Sequence, residues 1–256
     1  MRVVSLTCSN TEIVCALGRA GDLVGIDDFS DYPAAAVARL PRVGPDLGID
    51  IAKVEALAPD LVLASLTVPG HEKVVAALAA TGLPYLAPAP ESLADVARDV
   101  REIARHLGVA ARGEQLASEL EAAFVPSPLI AGGRPRIAIQ WWPKPAILPG
   151  RRSWASELIE LAGGESLLGG EEVASRPVAD EEFARLAADA IVISWCGVEE
   201  AKYRPEVVAR NPAWQEVPAV RHGRIFKVAE AFLGRPGPRL RQGLEALRAV
   251  VAACRP

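Results

Sequence analysis

The segment Lys53–Ser65, KVEALAPDLVLAS, returns as Glu182–Ser194, EFARLAADAIVIS, 129 residues further along the chain. Leu57 pairs with Leu186, Asp60 with Asp189, Val62 with Ile191 and Ser65 with Ser194. Each copy reads as a helix, a turn and a fully apolar strand. A short strand apolar on both faces fits the interior of a parallel sheet covered by helices. A unit that recurs at half the length of a 256-residue chain predicts two similar α/β lobes. Each is long enough to bury a core of its own.

The surrounding elements fit that plan. In the first half, strands at Val3–Leu6, Leu23–Ile26, Leu61–Ala64 and Tyr85-Leu86 alternate with helices. In the second, strands at Ile137–Ile139, Ile191–Ser194 and Ile225–Val228 alternate with helices at Trp154–Ala162, Glu181–Ala187 and Pro238–Cys254. Such alternation argues for parallel α/β structure. Residues 92–107 give the clearest helix. There Leu93, Val96, Ala97, Val100, Ile103, Ala104 and Leu107 follow i, i+3, i+4, i+7 spacing behind an N-cap at Ser92. A further helix over about 112–124 runs into Pro126-Ser127-Pro128 and Ala131-Gly132-Gly133, the best linker. The expected organisation is an N-terminal α/β lobe over 1–90, connecting helices and linker over 91–133, and a C-terminal α/β lobe over 134–256. Ligands of parallel α/β lobes bind outside the carboxyl ends of the strands. Two such lobes facing each other would form a cleft suited to a small molecule.

Composition excludes several functions. A formal charge of −4 without any long basic run gives no reason to expect nucleic acid. No apolar run approaches the ~18–20 residues that span a bilayer. Met1-Arg2 runs straight into Val3-Val4-Ser5-Leu6 without a charged-then-apolar leader. The expectation is therefore a cytoplasmic protein, or a periplasmic or cell-surface one if a leader has been removed. Cys8, Cys15, Cys196 and Cys254 form no CxxC, and no Cys/His spacing reads as zinc. There is no GxxxxGK[ST], no GxSxG and no HExxH. No acid–base pair or activated nucleophile can be assembled, so no catalytic residue, intrinsic cofactor or resident metal is expected.

What remains is a set of loops after the strands. They are Thr7-Cys8-Ser9-Asn10, the run from Asp27 through Phe29 and Tyr32 to Pro33, and the run from Ser65 through Thr67 to His71. The second half adds Trp141-Trp142-Pro143-Lys144-Pro145, Trp195-Cys196-Gly197 and 229–236 with Phe232 and Arg235. Aromatics just past strand ends favour a surface that stacks on a large flat ligand. The five Trp are 141, 142, 154, 195 and 214, none in the first 140 residues. Trp141, Trp142 and Trp195 fall on strand-end loops and would supply indole walls, while Trp154 and Trp214 read as packing residues. Cys8, His71 and Cys196 offer potential axial ligands to a cobalt or iron centre, though lining the ligand space is their plainer role. The same aromatics would anchor an interface if the chain bound a protein instead.

VVSLTCSNTEIVCALG (3–18), LVGIDDFSDYP (23–33), IDIAKVEALAPDLVLAS (49–65), RIAIQWWPKPAILPG (136–150), ELIELAGGESLLGG (157–170), ADAIVISW (188–195) and GRPGPRL (234–240) together resemble the helical-backbone (class III) substrate-binding proteins of ABC importers. The likeness covers nearly the whole chain and is strongest toward members that bind cobalamin. NTE, SDYP and ALAPDLVLA are its most specific parts. It implies two Rossmann-like lobes with parallel sheets joined by a long helix, a ligand cleft between them and little hinge motion. It also implies non-covalent binding without catalysis, a corrinoid as ligand, an ABC permease as partner and a monomer. Haem or a ferric siderophore is the alternative ligand. A two-lobed tetrapyrrole chelatase, with His71 as its base, is the alternative of another class.

Carried over residue by residue, the resemblance places Cys8 and Ser9 on the loop that meets the corrin. Phe29 and Trp141 fall on aromatic contacts, and Arg235 on a polar one. Asp46, Ser65 and Ser175 stand where cobalamin-binding members use Trp, so the pocket should be asymmetric. Ala231 stands where they use Asp, beside Glu230. The family docks on its permease through one Glu per lobe, and the offset of 129 puts those positions at Ala52 and Glu181. Only the second keeps the acid, which should weaken an electrostatic clamp. The disulfide of the cobalamin-binding members has Ala162 and Arg248 at its positions here.

Overall fold

The computed structural model describes residues 1–128 and 133–254. Ala131 and Gly132 of the expected linker lie outside the described residues. The chain divides into two compact units. Met1–Pro90 and Ala94–Glu121 form the first; 91–93 and the chain from Ala122 onward form the second.

The first unit runs β1 (Val3–Ser5), α1 (Cys8–Ala16), β2 (Leu23–Ile26), α2 (Ala34–Val37), α3 (Ile51–Ala56), β3 (Leu61–Leu63), α4 (His71–Ala79), β4 (Tyr85–Leu86), α5 (Leu93–His106) and α6 (Ala110–Ala123). Its sheet has the order β2-β1-β3-β4, parallel throughout. The second runs β5 (Arg136–Gln140), β6 (Trp142–Pro143), β7 (Ala146–Pro149), α7 (Trp154–Leu161), β8 (Glu165–Ser166), β9 (Ser175–Val178), α8 (Asp180–Leu186), β10 (Ala190–Ile193), α9 (Pro205–Ala209), α10 (Pro218–Arg221), β11 (Ile225–Lys227), α11 (Glu230–Leu233) and α12 (Leu240–Ala253). Read from the other edge, its parallel sheet has the order β8-β5-β10-β11. The two sheets therefore share one topology, and β3 and β10 hold the same place in each.

The sequence repeat has a structural cause. α3 and α8 each end in an Ala with positive φ, Ala58 at 43° and Ala187 at 49°, and these are 129 residues apart. They are the only non-glycine residues with positive φ among those described. Two residues later an Asp clamps the turn to the start of the neighbouring strand. Asp60 accepts from the Arg2 backbone N–H at 2.7 Å, while its own N–H donates to the Arg2 carbonyl at 2.8 Å. Asp189 does the same with Arg136, at 2.8 Å in both directions. In the first unit the Arg2 guanidinium also donates to the carbonyls of Leu57 and Ala58, closing the end of α3.

The central strands β1, β3 and β10 are buried on both faces. Val4, Val62 and Ala64 pack with Val54, Val74 and Leu78 in the first unit. In the second, Ala138, Ile191 and Ile193 pack with Phe183 and Trp214, whose rings stack at 4.2 Å. The stripe expected on 92–107 is buried at every position from Leu93 to Leu107. α5 and α6 pack with the first unit instead of standing apart as a connecting segment. A Cβ on Gly113 would come within 2.2 Å of the Ala104 Cβ, so that glycine sets their close approach. Residues 91–93 are tied to the second unit: Arg152 bridges Glu91, and the Leu93 N–H donates to Glu157 at 2.8 Å.

One element differs from the sequence reading. Trp141–Pro145, expected as a loop, contributes Trp142 and Pro143 to a small antiparallel sheet of order β6-β7-β9. Ser175 opens its third strand. Pro143, Pro145, Pro149 and Pro177 interrupt the apolar alternation, which hides these strands from a periodicity reading.

An L-residue held at positive φ carries strain that glycine does not. Ala58→Gly and Ala187→Gly should each stabilise the protein by about 0.5–1 kcal/mol, read as a raised urea midpoint. Ala79→Gly, at an exposed helical position, should lower it by a similar amount.

Candidate functional site

In the first unit the loops after β1, β2 and β3 are held by a buried polar network. Asp27 is fully buried; it accepts from the Phe29 N–H at 2.9 Å and from the Ser30 hydroxyl. Thr11 Oγ1 lies 2.8 Å from both Ser30 Oγ and Ser5 Oγ. Arg42 donates to the carbonyls of Asp27 and Ser30, at 2.7 Å each. Asn10 ties α1 to the end of β3 through the Ala64 carbonyl at 2.7 Å. With every backbone turn of 27–30 pinned, the loop presents its aromatics outward: Phe29 is 45% and Tyr32 47% exposed. Leu66 and Val68 on the loop after β3, and Leu47 before α3, are exposed as well.

The other first-unit candidates surround this network. Cys8 is half-buried with its thiol 3.9 Å from Asp27 Oδ2. Ser9 is buried, 3.3 Å from the Thr7 hydroxyl. Ser65 is buried and bonded to Thr67 at 2.9 Å. His71 opens α4 and is buried. Its Nδ1 accepts from the Val68 N–H at 3.4 Å and its Nε2 lies 3.5 Å from the Asp46 carboxylate. Nδ1 thus ties the ring to its own loop, while Nε2 is buried without a hydrogen-bond partner.

In the second unit a chain of hydrogen bonds links the ends of β5 and β10 to α11. Gln140 Oε1 accepts from the Trp195 indole N–H at 3.1 Å. The Trp195 carbonyl accepts from the Tyr203 hydroxyl at 3.2 Å, and that hydroxyl accepts from the Glu230 N–H at 3.1 Å. Burial pushes the Tyr203 phenol well above its ordinary pKa, so it stays protonated and keeps donating. The Glu230 carboxylate then holds Arg235 Nε at 3.0 Å. Phe232 lies beneath the Arg239 guanidinium, 5.4 Å from its ring centre.

The indoles divide between these roles. Trp142 is 44% exposed on β6 and Trp141 is half-buried beside it. Trp195 is only 6% exposed and belongs to the core around Ile193, Tyr203 and Trp214, not to an open wall. Trp154 and Trp214 are buried. Ser175 is exposed on β9. Ala52 and Glu181 are each the second residue of their helices, α3 and α8, and both are exposed. Asp27, Ser30, Thr11, Arg42 and Tyr203 were not singled out from sequence. Asp27 and Ser30 flank the noticed Phe29, whereas Tyr203 sits among the charged residues 199–206 with no pattern to mark it.

Each unit thus carries a fixed polar network at the carboxyl end of its parallel sheet, the end at which α/β proteins bind small molecules. The chain belongs to the periplasmic binding protein family, whose model matches residues 3–231. It is 28% identical to YvrC of Bacillus subtilis, an ABC transporter substrate-binding lipoprotein, over 96% of this chain and 78% of that one. It is 24% identical to the vitamin B12-binding protein of Vibrio parahaemolyticus, over 99% of this chain and 88% of that one. Among solved structures it is similar to the apo form of the periplasmic heme-binding protein RhuT from Roseiflexus sp. RS-1. That similarity has a TM-score of 0.83 at 26% identity and covers 99% of each chain.

The chain is thus a binding protein of that family, which performs no catalysis, so the chelatase alternative falls away. The cytoplasmic location expected from the first residues is corrected too. Relatives that are lipoproteins or periplasmic proteins point to the outer side of the cytoplasmic membrane.

Removing the Asp27 carboxylate would leave the Phe29 N–H and the Ser30 hydroxyl without their acceptor. Asp27→Ala should cost about 2–3 kcal/mol in urea unfolding and open 27–32 to limited proteolysis. Tyr203→Phe strips the hydroxyl between the Trp195 carbonyl and the Glu230 N–H and should cost about 1–2 kcal/mol.

Proposed function

We propose that this protein binds a flat tetrapyrrole, a corrinoid of the cobalamin type first among them, and hands it to an ABC permease. The observation that carries this reading is the outward presentation of Phe29 and Tyr32 on a loop whose backbone is pinned, and of Trp142 on the short strand β6 just past β5. Rigid aromatic faces bind planar ligands with little loss of side-chain entropy. The vitamin B12-binding relative supports the corrinoid. The heme-binding neighbour supports the second reading, haem in the same place. Cys8, Ser9, Trp141, Phe232 and Arg235 complete the proposed contacts. Asp46, Ser65 and Ser175 are smaller and more polar than the Trp that the resemblance puts at these positions in cobalamin-binding members. Glu181 is the proposed permease contact on the second unit, and Ala52 leaves its counterpart on the first without a charge.

Tryptophan fluorescence with cyanocobalamin and with haemin separates the two ligands. Saturable quenching by cyanocobalamin at micromolar concentration is expected. Phe29→Ala and Trp142→Ala should each weaken it about 3- to 10-fold without changing the unfolding midpoint. Quenching by haemin alone selects the second reading, and no saturable response to either ligand or to a ferric siderophore overturns both.

A further inference from the structure

Segment 44–47 crosses from one candidate loop of the first unit to another. At one end the Asp28 N–H donates to the Gly44 carbonyl at 2.9 Å. At the other the Leu47 side chain lies over Gly70, where a Cβ would come within 3.0 Å of Leu47 Cδ2. Asp46 therefore stands between the loop that presents Phe29 and Tyr32 and the loop that follows β3. Its side chain is 31% exposed, so the carboxylate is open to solvent. Leu47 beside it and Val68 on the second loop are exposed apolar groups.

Little of the protein answers that charge. Asp46 Oδ1 accepts from the Leu47 N–H at 2.8 Å, the one hydrogen bond to the carboxylate among the described residues. Oδ2 lies 3.5 Å from Nε2 of the buried His71, its one ionisable neighbour at ion-pair distance. The Val68 N–H on Nδ1 assigns the His71 ring proton to Nε2, and that nitrogen has no hydrogen-bond partner. A carboxylate has about four acceptor positions, so most of this one remains open. The loops 7–10, 27–33, 44–49 and 65–71 contain no Lys or Arg. Arg42 reaches the 27–30 turn, but donates there to the carbonyls of Asp27 and Ser30.

We propose that Asp46 sets the chemical class of the ligand at its rim: it accepts a hydrogen bond from a carboxamide arm and turns away a carboxylate arm. The inference rests on the tetrapyrrole reading and decides between its two ligands. A corrin ring carries acetamide and propionamide arms, whose N–H groups donate. A haem carries propionates, which only accept. A hydrogen bond to a charged acceptor is roughly twice as strong as a neutral one. Two carboxylates brought together without a counter-ion repel, and the desolvation of both goes uncompensated. Where the resemblance puts a Trp, this chain exchanges a stacking face for a charge.

The test is calorimetric titration of the full chain with cyanocobalamin, with its b-, d- and e-monocarboxylic acids and with haemin. Each monoacid has one propionamide hydrolysed to a propionate and is otherwise the same molecule. The wild-type protein is expected to bind at least one monoacid about tenfold more weakly than cyanocobalamin, and haemin more weakly still. Asp46→Asn, which keeps an acceptor for the Leu47 N–H and removes the charge, should weaken cyanocobalamin about threefold. It should also bring that monoacid within about threefold of cyanocobalamin and tighten haemin. Asp46→Ser is the second variant should Asp46→Asn not fold, and the same narrowing is expected of it. Cyanocobalamin binding with an unchanged monoacid ratio in both variants overturns the role of Asp46 and leaves the tetrapyrrole reading standing. Haemin bound more tightly than cyanocobalamin by the wild type also overturns it. Binding of neither ligand overturns the tetrapyrrole reading and this inference with it.

Discussion

The clamp made by Asp60 on Arg2 and by Asp189 on Arg136 is the contact on which both units depend. A parallel sheet needs a crossover that returns the chain to the start of the next strand in register. Here each crossover helix stops at an Ala of positive φ, turns, and is fixed by a side-chain and a backbone hydrogen bond to the neighbouring central strand. That fixes which residues emerge at the carboxyl ends of the sheet. Shift the register by one residue and the side chains of β3 or β10 exchange faces.

From those strand ends the two units diverge. The first uses short hydroxyl side chains around one buried acid, Asp27, and pins a loop tightly enough to leave two aromatic rings in solvent. The second uses large side chains, Gln140, Trp195 and Tyr203, and carries its hydrogen bonds across the core to Glu230 and Arg235. Both arrangements spend interior polar groups on fixing the backbone. A binding loop ordered in advance loses less entropy when its ligand arrives.

Much of this was legible in the chain, for physical reasons that differ by element. The repeat of Asp60 and Asp189 flagged a shared turn because both copies need the same acceptor at the same place. The stripe from Leu93 to Leu107 was readable because helical periodicity survives whatever the helix packs against. Phe29 and Tyr32 stood out as aromatics in a polar loop, and they are exposed. The antiparallel strands around Trp142 and Ser175 were not readable, since their pairing partners lie far apart in sequence and prolines break the alternation. Nor was the network around Asp27, which depends on Thr11 and Arg42 arriving from separate elements.

Trp195 shows most sharply why position past a strand is not enough to assign a role. It follows β10 as Trp141 follows β5, and sequence treats the two alike. The difference lies in their neighbours. Gln140, buried at the end of β5, offers an acceptor that the Trp195 indole N–H can reach, and Tyr203 packs against the ring at 5.6 Å. Burial of an indole is favoured when its N–H is satisfied and its faces are covered, and Trp195 has both. Trp142 lies on the small antiparallel sheet and keeps nearly half its surface in solvent. The excess of tryptophan in the second half therefore has two sources. Trp154, Trp195 and Trp214 are buried in the second unit, and Trp141 and Trp142 are the two that stay partly in solvent.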